Sequence, residues 1–302
     1  MKENKFNGQP TVIIIGSDGL IGSSLVRSFL TQGIRVIGTT RRPYSEKRFQ
    51  ISLDLSNSEQ IESWIPPSDV NLAIHCAGIT KIVQCDSDPL GSFTVNVKNT
   101  TKVARKLFES GVFQVFLSTN HVFDGSKPFR SHAEPTCPVN EYGKQKAKTE
   151  LHFLNLGKSA IIRFTKIIGS SDNLLGSWVT SLKRGQQIQP FINMFMSPVP
   201  LSTALNVLKM ISFSGLTGIF QVSGERDISY AEVARMGARA IKVSEDLVTP
   251  ILSTDAGFNM VPPENTTLNT DRLLEDFGIS VPSVQWTLSK AFLSPQTLAG
   301  QS

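Results

Sequence analysis

The sequence predicts an α/β protein: a doubly wound parallel sheet with a smaller C-terminal lobe. Three observations carry this reading. Apolar, β-branched runs without polar alternation recur between helix-spaced segments through residue 169, and parallel strands need the crossover connections that such alternation supplies. A glycine-rich turn, GSDGLIG at residues 16–22, separates the first such run from the first helical segment. Past Gly169 the alternation loosens, which marks the lobe.

Taken in order, TVIII at 11–15 reads as a strand buried on both faces. In the following segment Leu25, Phe29 and Leu30 are helix-spaced and Gly33 is a C-terminal stop. IRVIGT at 34–39 closes a βαβ unit. Next come a strand at 49–53, a helix at 58–64, a strand at 70–74, one long helix at 89–110 and a strand at 115–118. A loop at 124–138 leads to a helix at 141–156 and a strand at 160–164. In the lobe, 173–183, 202–212 and 230–241 read as helices and 218–222 as a strand. The expected division is a nucleotide-binding domain at 10–169, a mainly substrate-binding lobe at 170–293 from which about 195–224 returns to the sheet, and a polar, frayed tail at 294–302.

Composition narrows the function. Of 302 residues 40% are hydrophobic and 18% charged, enough apolar material for a core, which excludes an intrinsically disordered chain. Thirty Lys+Arg against 25 Asp+Glu leave +5, but the basic residues are scattered rather than gathered into a tract. No nucleic-acid partner is therefore expected, and a basic cleft for a phosphorylated small molecule fits. No run approaches the ~18 apolar residues of a membrane span, and residues 1–10 are too polar for a signal peptide. A cytoplasmic protein without a membrane partner is expected. Cys76, Cys85 and Cys137 are odd in number and lack ligand spacing, so neither a disulfide framework nor a metal site is expected.

Gly16, Gly19 and Gly22 lie between a strand and a helix, where glycines let the backbone approach a pyrophosphate held at the helix N-terminus. A bare βα turn would ask for glycine only for its dihedral angles. NAD-binding folds place an acid about 20 residues on, at the end of the second strand. Here that position reads Thr39, Thr40, Arg41, Arg42, with Glu46 the next acid. Guanidinium groups suit a 2′-phosphate, so NADP(H) is the expected cofactor. Farther on, FLSTNHVFDG at 116–125 precedes NEYGKQKAKTE at 140–150. Tyr142 and Lys146 are four residues apart on one helix face, where the ammonium is expected to lower the phenol's pKa, while Ser118 or Thr119 offers a hydroxyl at a strand end.

With these motifs the sequence resembles the extended short-chain dehydrogenase/reductase family, and within it the dTDP-4-dehydrorhamnose reductase-like nucleotide-sugar reductases. LDL at 53–55, CAGIT at 76–80, CDSDPLGSFTVNVKNT at 85–100 and PENTTLNTDRLLEDFGI near the C-terminus also match, so the likeness covers nearly the whole chain. The resemblance implies a Rossmann domain and reduction, by NADPH, of a keto group on a nucleotide-linked deoxysugar used for cell-surface polysaccharide. It implies that Tyr142 is the general acid, that Lys146 tunes it and binds the nicotinamide ribose, and that Thr119 orients the carbonyl. Gly16, Gly19, Leu20, Ile21, Gly22, Thr40, Arg41, Arg42, Asp54, Leu55, Ala77, Gly78 and Ile79 would line the cofactor. Thr119, Asn120, His121 and Lys166 would meet the nucleotide-sugar substrate, between the sheet's carboxyl edge and the lobe.

The sequence departs from the family's pattern at the sugar. Asn120 and His121 stand where the reductases usually carry Asp-Tyr, and Lys166 where they usually carry Trp. His121 reads as a second proton donor, a substrate ligand or a loop histidine packed for shape. His75, His132 and His152 read as structural, as do Trp64, Trp178 and Trp286. Two other functions stay open: an epimerase or dehydratase that retains its cofactor, and a non-catalytic NADP-binding protein resembling the regulatory subunit of methionine adenosyltransferase. A homodimer is left open.

Overall fold

The computed structural model describes residues 9–42, 49–169, 172–257 and 262–293; Glu46 and the tail at 294–302 lie outside them. The strands are β1 (Val12–Ile15), β2 (Val36–Thr40), β3 (Gln50–Ser52), β4 (Leu72–His75), β5 (Phe113–Thr119), β6 (Ser159–Phe164), β7 (Lys166–Ile168), β8 (Phe195–Met196), β9 (Pro198–Pro200), β10 (Gly218–Val222) and β11 (Ile228–Ser229). The α-helices are α1 (Leu20–Thr31), α2 (Ser58–Ser63), α3 (Ile82–Ser87), α4 (Pro89–Phe93), α5 (Thr100–Glu109), α6 (Glu141–Leu156), α7 (Asn173–Lys183), α8 (Leu201–Ser214), α9 (Tyr230–Ala240), α10 (Asp271–Phe277) and α11 (Val284–Phe292).

Seven strands form one sheet in the order β10-β6-β5-β4-β1-β2-β3, and the pairings β2–β3, β1–β2, β1–β4 and β4–β5 are all parallel. The chain starts at β1 in the middle, runs outward to β3, then crosses back to β4 on the other side of β1. The β1/β4 boundary is thus a topological switch point, where open α/β sheets bind ligands beyond the strands' carboxyl ends. β1 and β4 are buried throughout, β1 wholly apolar and β4 apolar but for His75, whose Nε2 meets Gln114 Oε1 at 2.9 Å.

Two compact units result. One comprises Met1–Phe123, Pro135–Arg163 and Leu205–Phe220, the other Asp124–Glu134, Phe164–Ala204 and Gln221–Ser302. Residues 124–134 belong to the second unit because their backbone pairs there: Phe129 N–H donates to Thr267 O, and Asn269 N–H to Arg130 O. The segment returning to the first unit is shorter than 195–224. Within it Phe213 meets Phe29 edge-on at 5.8 Å and Lys209 Nζ donates to Ser28 Oγ.

The first unit's core includes Ile13, Ile15, Leu53, Leu55, Ile61, Trp64 and Leu107. The second has its own core, in which Leu175, Trp178, Val233, Leu288 and Phe292 are buried. Its surface carries an open cleft of about 630 Å³ lined by Ile192, Asn193, Phe195, Pro262, Glu264 and Asn265. Trp286, expected in packing, is instead 45% exposed. Among the described residues no helix is long and apolar enough to cross a membrane.

The single helix expected at 89–110 is broken. Asp88 caps α4 by accepting from Gly91 N–H, and a wide π-helical segment at Thr94–Asn99 separates α4 from α5. Thr100 Oγ1, at the start of α5, donates to Val95 O of this segment. Single-turn π segments occur frequently at functional sites, and this one presents Asn96 to the loop after β4.

Candidate active site

At the switch point the glycine turn leaves β1 against the loop after β4. Gly16 has φ +88°, and a Cβ there would lie 2.7 Å from Ala77; a Cβ on Gly22 would lie 2.2 Å from Gly16 O. Both glycines are required by the protein's own packing. Gly19 is not: its φ is −72°, and a Cβ would meet only Gly16 O, at 3.8 Å. The open space at Gly19 fronts the first turn of α1, which has no side-chain cap and no acidic residue. Free N–H groups at a helix start, reached across a residue without a side chain, fit a phosphate group. The residues present therefore fit a dinucleotide.

The rest of the expected cofactor set sorts by what each residue does. Leu20 is exposed at the start of α1, and Ile21 is half-buried. Thr40 is buried at the end of β2, and Arg41 and Arg42 beyond it are exposed. Asp54 Oδ1 accepts from Ser56 N–H and Oγ, closing a turn, and the Leu55 side chain is part of the core. Ala77, Gly78 and Ile79 form the loop after β4. Asn96 clamps that loop: its Oδ1 accepts from Ile79 N–H at 2.8 Å and its Nδ2 donates to Ile79 O at 2.9 Å. Gln145 on α6 accepts from Asn96 Nδ2 at 2.8 Å, linking the clamp to the helix that bears Tyr142 and Lys146. The sequence reading missed Asn96, although it lies inside the 85–100 motif, because its partner Ile79 is 17 residues away and nothing local marks it.

The end of β2 holds one feature that its sequence neighbourhood does not show. No acid follows the strand closely in sequence, yet a carboxylate stands at its end. Asp18, from the glycine turn, accepts from Thr40 Oγ1 at 2.5 Å and from Gln50 Nε2 at 3.0 Å.

Thr119, Tyr142 and Lys146 do come together. Thr119 ends β5, and its Oγ1 accepts from His121 N–H at 3.2 Å, starting the single turn Asn120–Val122. Oγ1 lies 3.4 Å from Asn120 Oδ1. Asn140 caps α6 by accepting from Gly143 N–H at 2.8 Å. Gly143 lets the helix approach the turn, since a Cβ there would sit 2.0 Å from His121 O. This contact sets the Tyr142 ring edge-on to His121, with centroids 6.0 Å apart. Ser118, the alternative hydroxyl, is buried and its Oγ has no hydrogen-bond partner.

Burial pushes the Tyr142 phenol up to about 12, against the downward pull of its hydrogen bond with Thr119. The expectation that Lys146 lowers this pKa is therefore not met. Lys146 Nζ donates to Leu117 O at 2.8 Å and lies 4.5 Å from the Phe116 ring centroid but 6.0 Å from that of Tyr142. Burial lowers the Lys146 ammonium to about 8, against the upward influence of Glu150. A Cβ on Gly78 would lie 3.9 Å from Lys146 Nζ, so the ammonium faces the loop after β4. Burial also holds His121 at about 4, leaving it neutral at physiological pH. Lys166 is in the second unit on β7, exposed and 3.4 Å from Asp172 Oδ2.

The depressed value of Lys146 has a consequence for stability. A cation whose folded pKa lies near 8, below its ordinary 10.5, destabilises the fold fully below pH about 8 and ceases to do so above about 10.5. Lys146→Met should therefore stabilise the protein at pH 7, by on the order of 2 kcal/mol after the lost bond to Leu117 O is counted. Denaturant midpoints of both proteins at pH 7 and 9.5 check this, and the gap should narrow at the higher pH.

Comparison with known proteins places the chain in a family. The model of the RmlD substrate binding domain matches residues 10–295. A probable low-salt glycan biosynthesis reductase of Haloferax volcanii is 24% identical over 283 residues, covering 90% of this chain and 94% of the relative. Methionine adenosyltransferase 2 subunit beta of Rattus norvegicus is 26% identical over 281 residues, covering 89% and 82%. The crystal structure of dTDP-4-dehydrorhamnose reductase from Bacillus anthracis, in complex with NADP, superposes with a TM-score of 0.82 at 21% identity, covering 95% of this chain and 99% of that one. A glycine turn at the switch point, a Thr-Tyr-Lys cluster at the end of β5 and a family model spanning nearly the whole chain lead to one assignment: the protein belongs to the RmlD substrate-binding-domain family.

Proposed function

We propose that the protein is an NADPH-dependent reductase of a keto group on a nucleotide-linked sugar, acting in the synthesis of a surface glycan. The observation that carries this is the placing of the buried Tyr142 and Lys146 of α6 beside the Thr119 end of β5, with the Lys146 ammonium 6.0 Å from the phenol ring centroid and donating to Leu117 O. The matched reductases support the reading. The backbone N–H groups of Leu20, Ile21 and Gly22 would hold the pyrophosphate across Gly19, and Arg41 and Arg42 the 2′-phosphate. Asp54 and Leu55 would border the adenine, Ala77, Gly78 and Ile79 would line the site, and Lys146 would bind the nicotinamide ribose. When bound, NADPH supplies the hydride.

The protein's own residues supply the proton and the orientation. Tyr142 carries its proton at neutral pH, as a phenol at its ordinary value would, and burial raises it further, to about 12; it would give that proton to a carbonyl oxygen as negative charge develops there, and would not serve as a resting base. Thr119 Oγ holds the same oxygen in line, while Gly143 and Asn140 fix the approach of the helix. His121, neutral and edge-on to the ring, shapes the pocket beside Asn120. Because Asn120 and His121 replace the family's usual pair, dTDP-4-dehydrorhamnose should be a poor substrate.

The test is a panel of nucleotide-linked 4-ketosugars followed by loss of NADPH absorbance. Turnover of at least one, with dTDP-4-dehydrorhamnose among the weakest, is expected; no oxidation with any of them would overturn the reading. A second reading, a regulatory subunit, is favoured by the similarity to methionine adenosyltransferase 2 subunit beta. It predicts a stoichiometric protein partner and no turnover.

A further inference from the structure

We infer that Gln145 is a positioning residue: through Asn96 it sets the loop after β4 against the Lys146 ammonium, and so acts indirectly on dinucleotide binding and on turnover. This rests on the proposed reductase reading and deepens it.

Gln145 precedes Lys146 on α6 and is 2% exposed. Its carboxamide is used at both ends. Oε1 accepts from Asn96 Nδ2 at 2.8 Å, while Nε2 donates to Ser92 Oγ at 2.8 Å and lies 3.4 Å from Pro89 O. Ser92 Oγ in turn donates to Asp88 O at 2.7 Å, so the α4 side of the contact is itself anchored. A turned-over amide would set Nε2 against Asn96 Nδ2 and Oε1 against Pro89 O, so the network admits one orientation. One turn along α6, Thr149 Oγ1 shares its proton between Asn96 O and Gln145 O, each at 2.9 Å. The helix therefore grips Asn96 by backbone and by side chain.

The consequence falls on the loop. Asn96 holds Ile79 N–H and Ile79 O at once, and a Cβ on Gly78 would lie 3.1 Å from Asn96 Oδ1 as well as 3.9 Å from Lys146 Nζ. Adjacent residues of one helix thus reach the same loop, Gln145 through Asn96 and Lys146 across Gly78. Their spacing is a property of the helix and is in place before any ligand arrives. Buried amide networks with every donor engaged rigidify what they join, and a displacement of about 1 Å in a reacting geometry can cost on the order of 10²-fold in rate.

Titration calorimetry with NADPH, and kcat and KM on the nucleotide-linked 4-ketosugar that wild type turns over, test this in Gln145→Met and Ser92→Ala. Met keeps the length of the side chain and removes both of its hydrogen bonds; Ser92→Ala removes the far anchor and leaves Asn96 its partner. Calorimetric stoichiometry gives the folded fraction, to which kcat is normalised. Gln145→Met should weaken NADPH by about tenfold, the size of the lost hydrogen bonds, and lower normalised kcat by up to about 10²-fold, with the sugar's KM near wild type. Ser92→Ala should move the same two quantities in the same direction by a smaller factor, and it decides alone if Gln145→Met does not fold. Wild-type NADPH affinity and kcat in both variants, or a loss confined to the sugar's KM, would overturn the role of Gln145 and leave the dinucleotide reading standing. NADPH affinity is read without a sugar, so a wild type that binds NADPH and turns over nothing counts against the reductase reading alone and leaves the affinity comparison to decide. Failure of wild type to bind NADPH would overturn both.

Discussion

Tyr142→Phe should lower turnover of a nucleotide-linked ketosugar by about 10²- to 10⁴-fold while leaving NADPH affinity and thermal stability near wild type. The substitution removes one oxygen. The ring stays buried and keeps its edge-on contact with His121, and the Asn140 cap that starts α6 is untouched. Thr119 Oγ1 still accepts from His121 N–H, so the turn Asn120–Val122 holds its shape. What disappears is the proton aimed at the carbonyl oxygen. The pH profile separates this role from that of Lys146. Tyr142 stays protonated up to about 12, so the alkaline loss of kcat/KM in wild type should follow Lys146, near 8. Near-normal turnover in Tyr142→Phe would remove the phenol from the mechanism; His121, held at about 4, would be a poor replacement at neutral pH.

The largest effect on stability should come from the ion pair between α6 and β6, and it should be asymmetric. Arg163 on β6 and Glu150 on α6 are both almost fully buried; Nη2 donates to Oε2 at 2.7 Å, Nε donates to Oε1 at 3.0 Å, and the guanidinium lies 5.0 Å from the Phe123 ring centroid. Glu150→Met strands a guanidinium that cannot lose its proton, and should cost about 3–5 kcal/mol. Arg163→Met strands a carboxylate that can escape by taking up a proton. It should cost less, and its deficit should shrink as pH falls. Changing both to Met should recover most of the loss, because an apolar pair of similar volume avoids desolvating two charges. Urea denaturation of the three variants at pH 5 and pH 8 checks the pattern. Equal, pH-independent losses in the two single variants would mean that packing, and not charge, dominates at this site.

The first half of the fold was legible because its signals are local. Buried strands such as VIII at β1 cannot alternate, and α6 begins and ends where Asn140 caps it and Gly157 adopts a left-handed conformation. The break at Thr94–Asn99 was not legible, since its residues are compatible with a regular helix and the wide turn is fixed by where Asn96 must reach. The second unit was read least completely. β7 and β9 are only three residues each and pair with one another, and α10 and α11 are short. Such elements are defined by their partners, not by a periodicity that a sequence displays.

The site divides in the same way. The spacing of Tyr142 and Lys146 placed them on one helix face, and the Ser-Thr strand end placed Thr119 beside them. The direction of the tyrosine shift was misjudged because spacing shows a neighbouring charge and not the loss of water, and here burial prevails. Asp18 was passed over as part of a glycine motif because its partners, Thr40 and Gln50, are 22 and 32 residues away in sequence.

The central claim is that the protein transfers hydride to a sugar keto group while Tyr142 supplies the proton. It is tested most directly by giving it NADPH deuterated at the transferring position together with a nucleotide-linked 4-ketosugar, and locating the label in the product by NMR and mass spectrometry. Deuterium on the former carbonyl carbon, in proportion to the NADPH oxidised, is the result the account predicts. A sugar that changes configuration with no net oxidation of NADPH, or a cofactor that stays reduced beside an unchanged sugar, would contradict it.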